Sequence, residues 1–544
     1  MVRRWGSDEG PRATVLMAAM AALAGVLTAC LPGTGGGDGA AGAEAPRATA
    51  TCPAGSAPDA AEGRALRGMW IATVRGTDWP GRAGHAAERQ RAEYRRLMDA
   101  AKALHFNAVF VHVRPTADAF YASPHEPWSQ WITGRQGRDP GYDVLGFMLR
   151  EAHARGLEFH AWFNPYRVSP QKDLNKLAPN NPARRHPGWV RRYGDGLWYD
   201  PGLPQVRDLV STVILDVVRE YDIDGVHFDD YFYPYPAGGD YPDRATFKAH
   251  GKGFDSTAAW RRHNVNTLVE RVSGEIHRAK PWVRFGISPF GVWRNRSSDP
   301  DGSATRALQS YDDIYADSRL WVKKGWVDYI LPQLYWPIGD PLADYRTLTA
   351  WWARQVRDTG VQLMIGHGAY RVGAAGPWRN AGELSRQLTV NGKFPEVRGA
   401  VFFSARDLVS DRRGFATKLR KDHYRRPALV PVAARRAKAA GSAKVTPPAT
   451  VATGLRDEAV TVRWRGAGAD AARYAVYRVE GRRAAACAEA RPGSLIAVVG
   501  GGVTTVSDAG VKPGATYTYY VAALDRLHRA SAPAHGSTIT VPRG

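Results

Sequence analysis

Cysteine is scarce: Cys30, Cys52 and Cys487 are the three in a chain of 544 residues. No CxxC pair and no Cys/His cluster is present, so a structural zinc site is excluded. No HxxxH spacing accompanies the Asp-Asp pairs, which argues against the metal-dependent polysaccharide deacetylases. No Gly-rich phosphate turn follows the first strand-like run, and a dinucleotide-binding sheet loses its main support. Acidic residues are also in deficit: 52 Asp and Glu against 74 Lys and Arg leave a formal net charge of +22. Such a balance suits polyanionic surroundings. The basic residues are scattered rather than gathered into an arm or stripe, and no nucleic-acid-binding signature appears, so no nucleic-acid partner is expected.

A long apolar run is present once, from Ala13 to Ala29, after Arg3, Arg4 and Arg12. It reads as a secretion signal and is short for a membrane span. Its ending, Leu27-Thr28-Ala29-Cys30, resembles the lipobox of bacterial lipoproteins, which implies lipidation at Cys30 and a chain exported and anchored to the outer face of the membrane. Residues 1–30 are therefore expected to be a signal peptide. Residues 31–63, rich in Gly, Ala and Pro, form a flexible tether. Cys52 lies in that tether, and its pairing with Cys487 is left open. A second break, RRPALVPVAARRAKAAGSAKVTPP, marks an interdomain linker over 426–448.

Between the breaks, residues 64–425 alternate strand-like and helical patterns. Eight apolar runs stand out: LRGMWIATV, NAVFVHVRP, LEFHAWFNP, DGVHFDDYF, RFGISPFG, DYILPQLYW, QLMIGHGAY and GAVFFSAR. Eight strand-helix units predict an α/β fold, a (β/α)8 TIM barrel with enlarged loops; a doubly wound open sheet is the alternative. Residues 449–544 show strand runs separated by turn residues and predict a small all-β sandwich. Trp464, then Pro513-Gly514 leading into Tyr517, Tyr519 and Val521, resembles a fibronectin type III domain. It carries no evident chemistry.

In such a barrel the site lies at the C-terminal ends of the strands. The second strand closes on Arg114-Pro115 and a loop with Asp118, Tyr121, Glu126 and Trp128. In HAWFNPYR, alternation puts His160, Trp162 and Asn164 on one face, with Tyr166 and Arg167 beyond. In DGVHFDDYFYP, parity sets His227 and Asp229 on one face and Phe228 and Asp230 on the other. Asp229 is expected in the mouth and Asp230 in an orienting or loop-capping place, with Tyr231, Phe232 and Tyr233 starting the wall of a sugar groove. Later ends offer Gln333, Tyr335, Trp336, His367, Ser404 and Arg406. Asp312, Asp313 and Asp317 sit at a loop-to-helix junction where some would cap the helix.

Aromatic faces pack on the C–H faces of sugar rings, and planar polar groups bind hydroxyls, so this set points to a polysaccharide substrate. The substrate-binding set read from it is Arg114, Asp118, His160, Trp162, Asn164, Tyr166, His227, Tyr231, Gln333, Tyr335, Trp336 and His367. Glycoside hydrolysis needs two carboxyl groups, one protonated and one ionised. Neighbours on a strand point apart, so Asp229 should find its partner on another loop. His112, His160 and His227 could line a metal site, but barrel-interior histidines are more often satisfied by hydrogen bonds. No metal and no cofactor is expected.

The stretches RGMWIATVRGTDWP, FNAVFVHVRPTADAFY, EPWSQWITGRQGRDPGYDVLGFMLREAHARGLEFHAWFNPYR, DGVHFDDYFYP and YADSRLWVKKGWVDYILPQLYW resemble the glycosyl hydrolase-like family 10 of bacterial envelope proteins. The resemblance spans roughly residues 64–425. It implies a TIM-barrel glycosidase, often on a lipoprotein, connected with peptidoglycan glycan strands stripped of stem peptides. It also implies a strand-four aspartate as catalytic carboxylate, which falls on Asp229 as nucleophile or general base. The proton donor is then Asp317 or Glu126, followed by Asp118 and Asp230. The rival readings are a non-catalytic glycan-binding barrel and a structural envelope protein docked on anionic wall polymer.

Overall fold

Eight parallel strands alternate with helices and close into a barrel: β1 (Leu66–Ile71), β2 (Ala108–Arg114), β3 (Glu158–Phe163), β4 (Gly225–Phe228), β5 (Arg284–Ile287), β6 (Tyr329–Ile330), β7 (Gln362–Gly368) and β8 (Val397–Phe403), with β8 paired to β1. The computed structural model describes residues 63–441, 444–468, 471–481, 493–534 and 536–543. The expected signal segment, almost all of the tether, and Cys30, Cys52 and Cys487 lie outside these residues. All eight strands fall in the runs read from the sequence, and the expected TIM barrel is the fold. β6 is the shortest because Pro332, lacking an N–H, stops the ladder soon after it starts.

A helix follows each strand: Ala87–Ala103, Val144–Ala154, Pro204–Glu220, Thr257–Ala279, Ser318–Lys324, Tyr345–Val356, Gly382–Asn391 and Phe415–Asp422. Four of them start on an oxygen side chain that accepts a first-turn N–H: Asp143, Ser256, Asp317 and Asp344. Between β3 and its helix, Arg167–Ser169, Val190–Tyr193 and Gly196–Tyr199 form a small antiparallel sheet.

Alternation sorts the strand residues. Val109, Val111, Phe159, Ala161, Val226, Phe228, Phe285 and Ile287 face the helices in the main core. Leu66, Trp70, Phe110, Trp162, Tyr329, Leu331, Met364 and Val401 fill the barrel interior. The register aligns Phe110, His160, Gly225 and Arg284 in one row, and His112, Trp162, His227 and Gly286 in the next. Large rings and glycines alternate for a steric reason. A Cβ on Gly225 would lie 2.3 Å from the His160 ring, and one on Gly286 would lie 2.1 Å from the Tyr329 ring. Gly225→Ala is accordingly expected to destabilise the fold by about 1–3 kcal/mol through overpacking; urea unfolding monitored by tryptophan fluorescence measures it, and an unchanged midpoint would contradict this packing.

The base of the barrel is covered by chain from the C-terminal side. Residues 426–440, read from the sequence as linker, carry the short helix Ala434–Ala439 and run beneath the strands. Ala65 N–H donates to the Leu429 carbonyl at 2.9 Å, Asn107 Nδ2 to Ala428 at 3.0 Å and Gln362 Nε2 to Val432 at 2.7 Å. Beyond them, β9 (Val451–Arg456), β10 (Ala459–Trp464) and β13 (Thr505–Asp508) form one antiparallel sheet. A second consists of β12 (Leu495–Gly500), β11 (Arg473–Glu480), β14 (Thr516–Leu524) and β15 (Ser537–Thr540). The two share a core of Val460, Val462, Trp464, Tyr474, Val476, Tyr519 and Val521. This segment is tied to the barrel floor: Arg473 is ion-paired with Asp224 at 2.8 Å, and the buried His528 ring contacts Glu158 at 2.6 Å. Arg284 also reaches Glu158, so three elements converge on one buried carboxylate. With the base sealed, the opposite end is the open one.

Candidate active site

At that open end β4 finishes on Phe228, and Asp229 and Asp230 follow it. Because the ladder has ended, strand parity no longer holds them apart, and both carboxyl groups enter the mouth. This corrects the expectation that Asp230 turns away. Asp229 is 3 % exposed and accepts from Asn164 Nδ2 with both oxygens, at 3.2 and 3.1 Å. The Asn164 amide is oriented for this, since its oxygen accepts the Arg167 N–H at 2.8 Å. The Trp162 indole N–H lies against the same carboxyl without completing a hydrogen bond. Asp230 accepts from Tyr235 OH and, at 3.1 Å, from Gln333 Nε2, which also donates to the Ser288 carbonyl at 3.0 Å.

Burial pushes the Asp229 carboxyl up, and the charge of Asp230 pushes it further, against Arg167 and the Asn164 amide. Asp230 is also raised by burial, with the Tyr235 and Gln333 donors opposing. Two adjacent acids in one enclosed mouth cannot both ionise cheaply. One favours its proton while the other holds the charge.

Beneath them His227 forms the floor. Its ring contacts Trp70 Nε1 at 3.1 Å, Ser288 Oγ at 3.0 Å and Tyr329 OH at 3.1 Å, and it is fully buried. Around the rim runs a belt of half-buried aromatic rings. Trp198 meets Tyr231, then Tyr235, Phe290 and Trp336 follow edge to edge, with centroids 5.4–6.2 Å apart. Tyr335, Tyr370 and Phe403 continue the aromatic set at 5.9 and 6.1 Å, and Phe403 in turn meets the buried Trp70 at 6.3 Å. The Arg167 guanidinium sits 5.5 Å from the Tyr231 ring centre. Trp162 stacks flat on His112 at 3.9 Å, which fixes the indole beside Asp229.

Several expected site residues are elsewhere or engaged. Glu126 is bound bidentately by Arg114, at 2.7 and 2.5 Å, with both side chains fully buried. The same guanidinium donates to the carbonyls of Asn164 and Pro165 at 2.5 and 3.0 Å. Arg114 is thus a bracket beneath the β3 loop rather than a sugar ligand, and both Glu126 oxygens are taken up by it. Asp317 accepts the Leu320 N–H at 3.2 Å and Trp293 Nε1 at 2.9 Å, so it is a helix cap and not the donor. Asp118 is buried on Thr116 and Gln136 at 3.0 and 3.2 Å. His160 sits one row lower in the barrel interior, on Tyr329 OH at 2.9 Å and stacked against Phe110. Tyr166 lies in the outer core, and so do Phe232 and Tyr233, which were expected in the groove wall but pack on Trp321 and Tyr241 instead. His367 points outward to Gln387 and Asn391, at 3.0 and 3.3 Å, because β7 parity turns it toward the helices. The mouth therefore gathers Asp229, Asp230, Trp162, Asn164, Tyr231, Gln333, Tyr335 and Trp336, with His227 below. Tyr235, Ser288, Trp198, Phe290, Tyr370 and Phe403 were not anticipated. Tyr235 had a signal, since it continues the FYPY aromatic run, whereas Trp198 comes from a sheet that a count of eight strands passes over.

Residues 65–381 match the family model described as glycosyl hydrolase-like 10. The chain is 43 % identical over 482 residues to the glycosyl hydrolase YngK of Bacillus subtilis, covering 86 % of this chain and 92 % of that protein. It is 42 % identical over 384 residues to the glycosyl hydrolase DigH of Escherichia coli K12, covering 66 % of this chain and 88 % of that protein. Among solved structures, the glycoside hydrolase domain of PgaB (BpsB) from Bordetella bronchiseptica aligns with a TM-score of 0.46 at 15 % identity, over 66 % of this chain and 99 % of that domain.

Proposed function

Since the chain belongs to the glycosyl hydrolase-like 10 family, we propose that it is a hydrolase of bacterial cell-wall glycan, cutting peptidoglycan strands freed of stem peptides. That it is a glycoside hydrolase follows from the family and its relatives. The wall substrate is our reading. It is supported by the belt of aromatic rings around the mouth, suited to stacking on sugar rings, and by a net charge of +22, suited to an anionic wall. The observation that carries the chemistry is the Asp229–Asp230 pair inside the aromatic belt. Asp229, whose carboxyl is pushed up, is the proton donor to the leaving oxygen. Asp230, fixed by two donors, is the charged partner. This differs from the role of nucleophile or general base that the family resemblance implied for Asp229.

Residues 1–30 act in this reading as a lipoprotein signal, with Cys30 lipidated and the enzyme held outside the membrane. Loss of fatty-acid labelling in Cys30→Ala would support the anchor. The C-terminal strands are read as a fibronectin type III-like module. Their three-plus-four strand order and the bond from Lys512 N–H to Tyr517 OH at 3.2 Å favour it.

The function is tested by incubating the full chain with peptide-free and peptide-bearing glycan strands and identifying products by mass spectrometry. Saccharides with reducing ends should appear from the peptide-free strands. Intact strands would overturn the substrate assignment, and 1,6-anhydro ends would make the enzyme a lytic transglycosylase instead.

A further inference from the structure

A glycosidase that supplies its own nucleophile needs a second carboxylate about 5–5.5 Å from the acid, and one that activates water needs a base about 6.5–9.5 Å away. Among the described residues, the acids on the loops after the first, second, fifth and eighth strands are each already held by donors. Asp78 is clipped by Ser404 Oγ at 2.6 Å and by the N–H groups of Ala72 and Arg406, both at 2.8 Å. Asp407 pairs with Arg412, and Glu126, Asp118 and Asp317 are engaged as described. What remains are two consecutive acids rising from one strand end. Asp230 is immobilised by neutral donors, which leave lone pairs to accept one further N–H. Tyr235 touches it directly, and the Tyr235 ring lies between those of Tyr231 and Phe290 in the belt, so aromatic faces adjoin that acceptor.

A carboxylate acceptor, aromatic faces beside it and an adjacent acid are what a 2-acetamido sugar requires. We propose that the nucleophile is the substrate's own acetamido group, with Asp230 holding the acetamido N–H, Asp229 donating the proton, and 2-acetamido-2-deoxy glycosides as the substrate class. This rests on the glycan-hydrolase reading above. The acetamido carbonyl oxygen attacks C1 as the bond from C1 to the leaving oxygen breaks, and that oxygen takes the Asp229 proton. The cyclic oxazolinium so formed keeps its N–H on the Asp230 carboxylate. Water then adds to C1 and gives a proton to Asp229, while the bond from C1 to the acetamido oxygen breaks and restores the amide. One water is consumed, no other reactant is needed, and two inversions at C1 leave the anomeric configuration retained.

The test uses the full chain and three preparations of the same peptide-free strands: N-acetylated, chemically N-deacetylated, and re-acylated with trifluoroacetyl groups. The acetylated strands should be cut fastest, the trifluoroacetylated ones more slowly because fluorine weakens the carbonyl oxygen as a nucleophile, and the amine strands at least about 100-fold more slowly. Proton NMR of the first product should show the retained anomer. Asp230→Asn should lower kcat with KM little changed, and should flatten the difference between the two acyl forms. Amine strands cut as fast as acetylated ones, an inverted product, or an Asp230→Asn variant at full rate would each overturn the proposal and leave the hydrolase reading standing. If none of the three is cut, the assignment of peptidoglycan strands as substrate falls and takes the proposal with it.

Discussion

Asp229→Asn will lower kcat for glycan cleavage by about 10²–10⁴-fold, the range a positioned proton donor supplies. Strand binding in a pull-down should be unchanged. The substitution is nearly isosteric, and the new amide oxygen can still accept from Asn164, so the loss isolates the proton rather than the packing. The pH profile gives the sharper result. Asp229 must be protonated to act, so activity is lost as pH rises through its pKa, which burial and the Asp230 charge push up to about 7. Asp230 must be ionised, so activity is lost as pH falls through its own raised pKa. Removing the neighbouring charge in Asp230→Asn takes away one of the two causes holding Asp229 up. The alkaline limb of the residual activity should therefore move to lower pH, though burial keeps it above the ordinary carboxylate range. An alkaline limb that stays in place in Asp230→Asn, or an Asp229→Asn variant with near-normal kcat, would remove Asp229 from the reaction.

The barrel was legible because its strands are short apolar runs with side chains of period two, and that period is local. The same alternation correctly sent His227 and Asp229 to the interior side and misled only where the ladder stopped. Phe228 is the last paired residue, so Asp230 is governed by its own bonds to Tyr235 and Gln333, partners 5 and 103 residues away. His367 was misplaced for a related reason: it stands out among glycines in QLMIGHGAY, but β7 is continuous there and parity turns it outward. Glu126 and Arg114 could not be separated from site residues by type alone. Twelve residues apart, they meet only because the loop after β2 folds back over the strand end. The cover on the barrel base was similarly hidden. Composition marks 426–448 as a break, whereas its backbone hydrogen-bonds to Ala65, Asn107 and Gln362 in three separate strands or their approaches.

The Arg114–Glu126 pair yields the second large effect, on stability rather than rate. Burial draws the guanidinium pKa down, but the charge and hydrogen bonds of Glu126 more than offset this, and the guanidinium stays charged with both side chains out of water. Removing one partner strands the other charge. Glu126→Gln or Arg114→Met should therefore each cost about 3–5 kcal/mol in chemical unfolding, while the double variant with Leu at 126 recovers much of it by replacing both charges with apolar bulk. The two single variants should differ in activity. In Glu126→Gln, Arg114 still holds the Asn164 and Pro165 carbonyls, so at low temperature the folded fraction should cut strands at close to the native rate. Arg114→Met frees the loop that aims Asn164 at Asp229, and kcat should drop even where the protein is folded. If instead Glu126→Gln kept full stability and lost cleavage, Glu126 would be the proton donor after all, and the paired geometry would not be the one in which the enzyme works.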